Sequence, residues 1–134
     1  MGNVGPYTSD IILKNIRVLK RARFNIGTGH CLEAMRKVAG VDSVYGTATL
    51  AGDHAHIHTV GKVNDIPDGV FIYWGERDGH IAWSRGMHDG VHYCLTPGSP
   101  DDPNHWVRVP TALISSRWGH TLRGWSRDID GKTI

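Results

Sequence analysis

Val70-Phe71-Ile72-Tyr73-Trp74, Gly79-His80-Ile81-Ala82-Trp83-Ser84 and Val91-His92-Tyr93-Cys94-Leu95 are three short runs dominated by aromatic and β-branched residues. Asp68-Gly69 precedes the first, and residues 75–79 and 85–90, rich in glycine and charge, separate the rest. Runs of this kind between short turns predict strands over 70–74, 80–84 and 91–95, joined as an antiparallel meander. Downstream, residues 97–104 hold three prolines and two aspartates and predict a loop. Beyond it we expect a strand over 105–109, a short helix over 111–118 opened by Pro110, and a last strand over 122–126.

Upstream of the meander the periodicity becomes helical. Thr8, Ser9 and Asp10 offer caps ahead of Ile11, Ile12, Ile16 and Leu19, with Lys14, Arg17, Lys20 and Arg21 on another face, read as a solvated surface. A glycine-rich turn, Asn25-Ile26-Gly27-Thr28-Gly29-His30, then feeds the helix formers from Cys31 to Val38. Leu32, Met35 and Val38 form one apolar stripe, so that helix is expected to pack by this face while Cys31 looks out of its first turn. Residues 41–61 are small, polar and histidine-bearing, and predict a loop or a short helix. The expectation is an α+β fold, N-terminal helices packed on an antiparallel meander, in a single domain over 1–134.

Composition agrees with that size of fold. The chain has 134 residues, 40% of them hydrophobic, with 17 glycines and 6 prolines. That is enough to bury a core without staples, and too turn-rich for a helical bundle. Cys31 and Cys94 are too few for a disulfide framework and are read as thiols. No run approaches the eighteen apolar residues of a membrane span, and Met1 to Asp10 lacks the basic and apolar regions of a secretory signal. A cytoplasmic origin is expected. A formal charge of +2 is too small to argue for nucleic acid, though it favours approach to a polyanionic cell wall.

The chemistry rests on two residues far apart in the chain. A thiol is a nucleophile as thiolate, and a helix N-terminus favours that charge, so Cys31 is the candidate nucleophile. Gly29 and His30, just before it, are expected to let a substrate backbone approach, with nearby N–H groups receiving an oxyanion. A lone cysteine on an amphipathic helix is ordinarily structural. His80 reverses that reading: it opens a strand after a glycine turn, where a rigidly held imidazole can serve as base. A third group must orient the ring. His92, Cys94 and Thr96 share one strand face, and His92 is the choice among them. Trp83 and Trp106 flank these segments and are expected to line the substrate groove, while the other tryptophans are read as core.

His54, His56 and His58 alternate and could be placed as metal ligands, but further ligands in register are not evident, and no metal or other cofactor is expected. Asp128-Ile129-Asp130-Gly131 is too near the end for a calcium loop that needs a downstream glutamate.

The helix-start cysteine, Val70 to Trp74 running into Gly79-His80-Ile81-Ala82, and the strand after it resemble the NlpC/P60 and CHAP group of papain-like peptidoglycan hydrolases. The ending, Val107-Arg108-Val109-Pro110, Ile114, Trp118-Gly119, Gly124-Trp125, Asp128 and Gly131, is similar to peptidase domains of actinobacteriophage endolysins. The resemblance covers residues 24–131. It implies a papain-like fold and a cysteine peptidase or amidase cleaving stem-peptide or amide bonds of peptidoglycan, with Cys31, His80 and His92 as the catalytic set. It also implies a phage setting, lysis from the host cytoplasm or entry from the virion, alongside other lysis or virion proteins. The competing expectation is a non-catalytic virion-structural or wall-binding protein that keeps the fold, since fold does not secure activity.

Overall fold

The structure, a computed structural model, describes residues 7–75 and 77–134. Among the described residues three α-helices precede the sheet, α1 (Ser9–Arg21), α2 (Cys31–Ala39) and α3 (Ala48–Asp53), followed by one turn of 3-10 helix (Val63–Asp65). The Thr8 hydroxyl accepts from the Ile11 N–H and caps α1, and Thr47 does the same for α3 through Leu50. Strands β1 (Phe71–Gly75), β2 (His80–His88), β3 (Val91–Pro97) and β4 (Trp106–Pro110) then form an antiparallel meander. Helix α4 (Ala112–Trp118) carries the chain across to β5 (Thr121–Ser126), which pairs with β1 at the far edge, giving the order β4-β3-β2-β1-β5. A small hairpin, β6 (Asp128–Ile129) and β7 (Lys132–Thr133), ends the chain. The architecture is α+β, with helices and an antiparallel sheet. No helix among the described residues is long and apolar enough to cross a membrane.

The unbroken apolar run of β1 has a physical reason. Strand alternation sends Phe71 and Tyr73 to one face and Ile72 and Trp74 to the other, and both faces are covered. On one side Phe71, Tyr73, Ile81, Trp83 and Leu95 pack against Ile12 and Ile16 of α1, Leu32, Met35 and Val38 of α2, and Ala48 and Ala51 of α3. On the other, Ile72, Trp74, Ala82 and Cys94 pack against Ile114 of α4 and Ile66.

Most element ends shift from expectation by a residue or two, as in β1, β3 and β4, and the end of β2 differs most, whereas 41–61 holds the short helix α3, one of the two alternatives expected there. β2 runs on to His88, through a bulge between Ser84 and Gly86, so residues 85–88 are strand rather than turn. The turn is only Asp89-Gly90, both at positive φ (51° and 81°), as a two-residue hairpin whose twist matches its strands requires. In 41–61, α3 is followed by a single bridge from His58 to Trp125 of β5. Gly124 permits that close approach: its φ is 136°, and a Cβ there would lie 2.1 Å from the His58 carbonyl oxygen.

Candidate functional site

The loop before α2 brings Cys31 to the open end of the sheet. Gly27 and Gly29 both hold positive φ (86° and 84°), which turns the chain sharply into the helix. The loop is pinned to the β3–β4 connection by the Ile26 N–H donating to the Asn104 carbonyl (2.7 Å) and the Thr28 hydroxyl donating to Asn104 Oδ1 (3.0 Å). His80 arrives from the other direction as the first residue of β2, after a turn in which the Thr49 N–H binds the Asp78 carbonyl (3.1 Å). Its ring lies on the α4 side of the sheet, 5.6 Å from the Trp74 ring and 5.0 Å, edge-on, from Trp118. Ile81, one residue on, packs in the core with α2, and its backbone N–H is among the groups that favour a thiolate at Cys31. Cys31 and His80 both line a cavity of about 330 Å³ at this end of the sheet, together with Thr28, Gly29, Asp78 and Trp118.

The tautomer of His80 follows from its partner. His80 Nε2 lies 2.6 Å from the Thr96 hydroxyl oxygen, and that hydroxyl lies 2.5 Å from the Gly98 carbonyl. A carbonyl only accepts, so the single Thr96 hydrogen goes to Gly98 and Thr96 must accept from His80. Nε2 carries the ring hydrogen, and Nδ1, without a hydrogen-bond partner among the described residues, keeps its lone pair. In this tautomer Nδ1 is the ring nitrogen that can accept a proton.

His92 does not perform the orienting role expected of it. Its Nε2 donates to the Ile66 carbonyl (3.0 Å) and lies 3.2 Å from the Ser84 hydroxyl, and its Nδ1 accepts from the Thr111 hydroxyl (2.6 Å). Both nitrogens are committed, and the ring is a buried fastening between β3, α4 and the segment before β1. The reason is register. Trp83 pairs with Leu95, which sets Thr96 diagonally beside the start of β2, whereas His92 pairs with Met87 beyond the bulge. Thr96 lies four positions from His92, roughly 13 Å along a strand.

Trp83 and Trp106 are likewise corrected. Both are buried in the core beneath the helices, and neither indole N–H finds a partner among the described residues. The aromatic wall of the cavity is Trp118, at the end of α4. Gly29 and His30 do flank the sulfur: both line a second hollow of about 200 Å³ on the other side of Cys31, with Glu33, Thr47 and Asp78. His30 is exposed and its Nδ1 meets Glu33 Oε2 at 3.0 Å. Thr96, Trp118, Asp78, Arg77 and His120 are the site residues sequence reasoning did not select. Only Thr96 had a signal, its shared face with His92 and Cys94.

Electrostatics departs from expectation too. The N–H groups of Ile81, Leu32 and Cys31 itself favour a thiolate, but burial outweighs them and pushes the Cys31 thiol up to about 11. Asp78 adds a smaller push in the same direction. Burial lowers His80 to about 3, helped by the nearby His120. At neutral pH the pair is a thiol and a neutral imidazole, and the two do not hydrogen-bond.

The three alternating histidines go separate ways. His54 stacks on Tyr45 (4.3 Å), His58 on Trp125 (4.2 Å), and exposed His56 lies 3.6 Å from Asp128. Among the described residues no three His, Cys, Asp or Glu side chains are gathered as for a metal ion. No family model, curated protein or solved structure matches the chain.

Proposed function

We propose that the chain is a papain-like cysteine hydrolase of the NlpC/P60 or CHAP type, cleaving stem-peptide or amide bonds of peptidoglycan and acting in phage lysis or entry. The observation that carries the reading is the cavity shared by Cys31 and a His80 whose Nε2–H is held by Thr96, leaving Nδ1 as the base. Because the resting pair is neutral, the thiol proton passes to Nδ1 as sulfur attacks the amide carbonyl. The imidazolium then returns that proton to the leaving amine, and water, deprotonated by the same nitrogen, hydrolyses the thioester. The Cys31 and Leu32 N–H groups at the start of α2, which favour negative charge at the sulfur, receive the oxyanion. Hydrogen bonds between such partners tighten when substrate binds.

The raised thiol and the missing Cys31–His80 hydrogen bond favour a second reading, a wall-binding or virion-structural protein that keeps this fold. Purified cell walls separate the two. Under the first, the chain releases free peptide or amine, and Cys31→Ala stops release while the circular dichroism spectrum is unchanged. Wall binding with no release from either protein would establish the second.

A further inference from the structure

Charge is sorted along the cleft in a way that catalysis alone does not require. The sulfur and Asp78 sit at its middle, lining both hollows. Arg77 and His120 line only the larger hollow, and Glu33 only the smaller. Arg77 is exposed, is held at positive φ (52°) and makes no ion pair among the described residues. Arg36, in the smaller hollow, is instead consumed by Asp130 and the Tyr45 carbonyl. His120 is half-buried with its ring edge-on to Trp118 at 6.0 Å. Beyond the sulfur, then, the larger hollow presents a guanidinium with no ion pair among the described residues and an imidazole, over apolar walls from Pro97, Pro103 and Trp118.

Resting on the hydrolase reading, we propose that Arg77 and His120 form a carboxylate-binding subsite, so that the preferred substrate carries a carboxylate on the flank of the scissile amide that lies in the larger hollow. A guanidinium offers the fork of N–H donors that a carboxylate accepts, and an imidazole adds a further donor. Asp78 repels a carboxylate held close to the sulfur, which places it at the far end, with Trp118 and the prolines packed on the intervening apolar group. The volume of about 330 Å³ is of the size that small ligands occupy.

The test does not depend on turnover. The Cys31→Ala protein is titrated with N-acetyl-alanyl-alanine and with its C-terminal amide, followed by NMR. The acid is expected to bind about tenfold more tightly, the worth of one charge-assisted hydrogen bond, and to shift the His120 ring and Arg77 side-chain signals. Arg77→Gln and His120→Gln should each abolish the preference, and Arg77→Lys should restore part of it. Equal binding of acid and amide, no saturable binding of either, or a preference that survives both glutamine variants overturns the subsite. So does displacement of the acid by inorganic phosphate at similar concentration, which marks unselective anion binding. Wall digestion by the unmodified chain is scored in parallel: digestion without the binding preference removes the subsite alone, whereas the preference without digestion removes the hydrolase.

Discussion

At the scale of single residues, burial rather than the helix terminus governs the nucleophile. A Cys31 thiol near 11 leaves about a hundredfold less thiolate at neutral pH than an ordinary cysteine near 9.0. Alkylation by iodoacetamide should accordingly be slow at pH 7 and climb about tenfold per pH unit to pH 10. A plateau below pH 7 would instead reveal a thiolate–imidazolium pair. The partner of the base is Thr96, whose hydroxyl both fixes the tautomer of His80 and holds its ring. Thr96→Val keeps the shape but strands the buried Nε2–H, and wall hydrolysis should fall on the order of a hundredfold. Thr96→Ser retains the hydroxyl and should recover most of the rate, an outcome that a purely packing role for the threonine methyl would not produce.

At the scale of elements, the helix that carries Cys31 is fastened to the far end of the chain. Asp130 Oδ2 accepts from Arg36 Nε of α2 (2.5 Å) and from the Val44 N–H (3.0 Å) and the Tyr45 N–H (3.4 Å), while Arg36 also donates to the Tyr45 carbonyl. Asp128 accepts from the His56 N–H (3.1 Å) and from Ser126, and its carbonyl receives the Tyr73 hydroxyl (2.8 Å). Within residues 41–58 these carboxylates supply the partners of the Val44, Tyr45 and His56 N–H groups. Removing one side of a buried ion pair leaves the other charge uncompensated, so Asp130→Ala should cost about 3–5 kcal/mol in urea unfolding. A loss under 1 kcal/mol would mean that solvent replaces the carboxylate and that the fastening is incidental.

At the scale of the whole molecule, buried imidazoles make folding sensitive to acid. His80 is neutral in the folded chain down to about pH 3, but in the unfolded chain it protonates near 6.5. Below 6.5 the unfolded state binds the extra proton, so the stabilisation is complete above that pH and is lost as pH falls towards 3, at about 1.4 kcal/mol per unit. His92 is lowered in the same direction by burial, opposed by its bond to Ile66. Melting temperature should drop steadily from pH 7 to pH 4, and a His80→Gln variant should show a shallower decline. Identical pH profiles for the two proteins would place the acid sensitivity elsewhere.

Local chemistry was sufficient to identify the α+β class, the meander, the start of α2 at Cys31 and the opening of β2 at His80. Each is written in neighbouring residues: caps, turn glycines, and periods of 3.6 or two. For residues 41–58 the sequence left a loop and a short helix open, because part of what orders them, Asp128 and Asp130, lies some seventy to ninety positions away. The third member of the site was undecidable for a related reason. Alternation puts His92, Cys94 and Thr96 on one face, but only the pairing of β2 with β3, and the bulge at residues 84–86, says which of them stands beside His80. The same holds for the thiol: its helix position is local, whereas the burial that overrides it comes from packing against a strand fifty residues on. Trp83, Trp106 and Trp118 are chemically alike, and tertiary packing alone sends two to the core and one to the cleft.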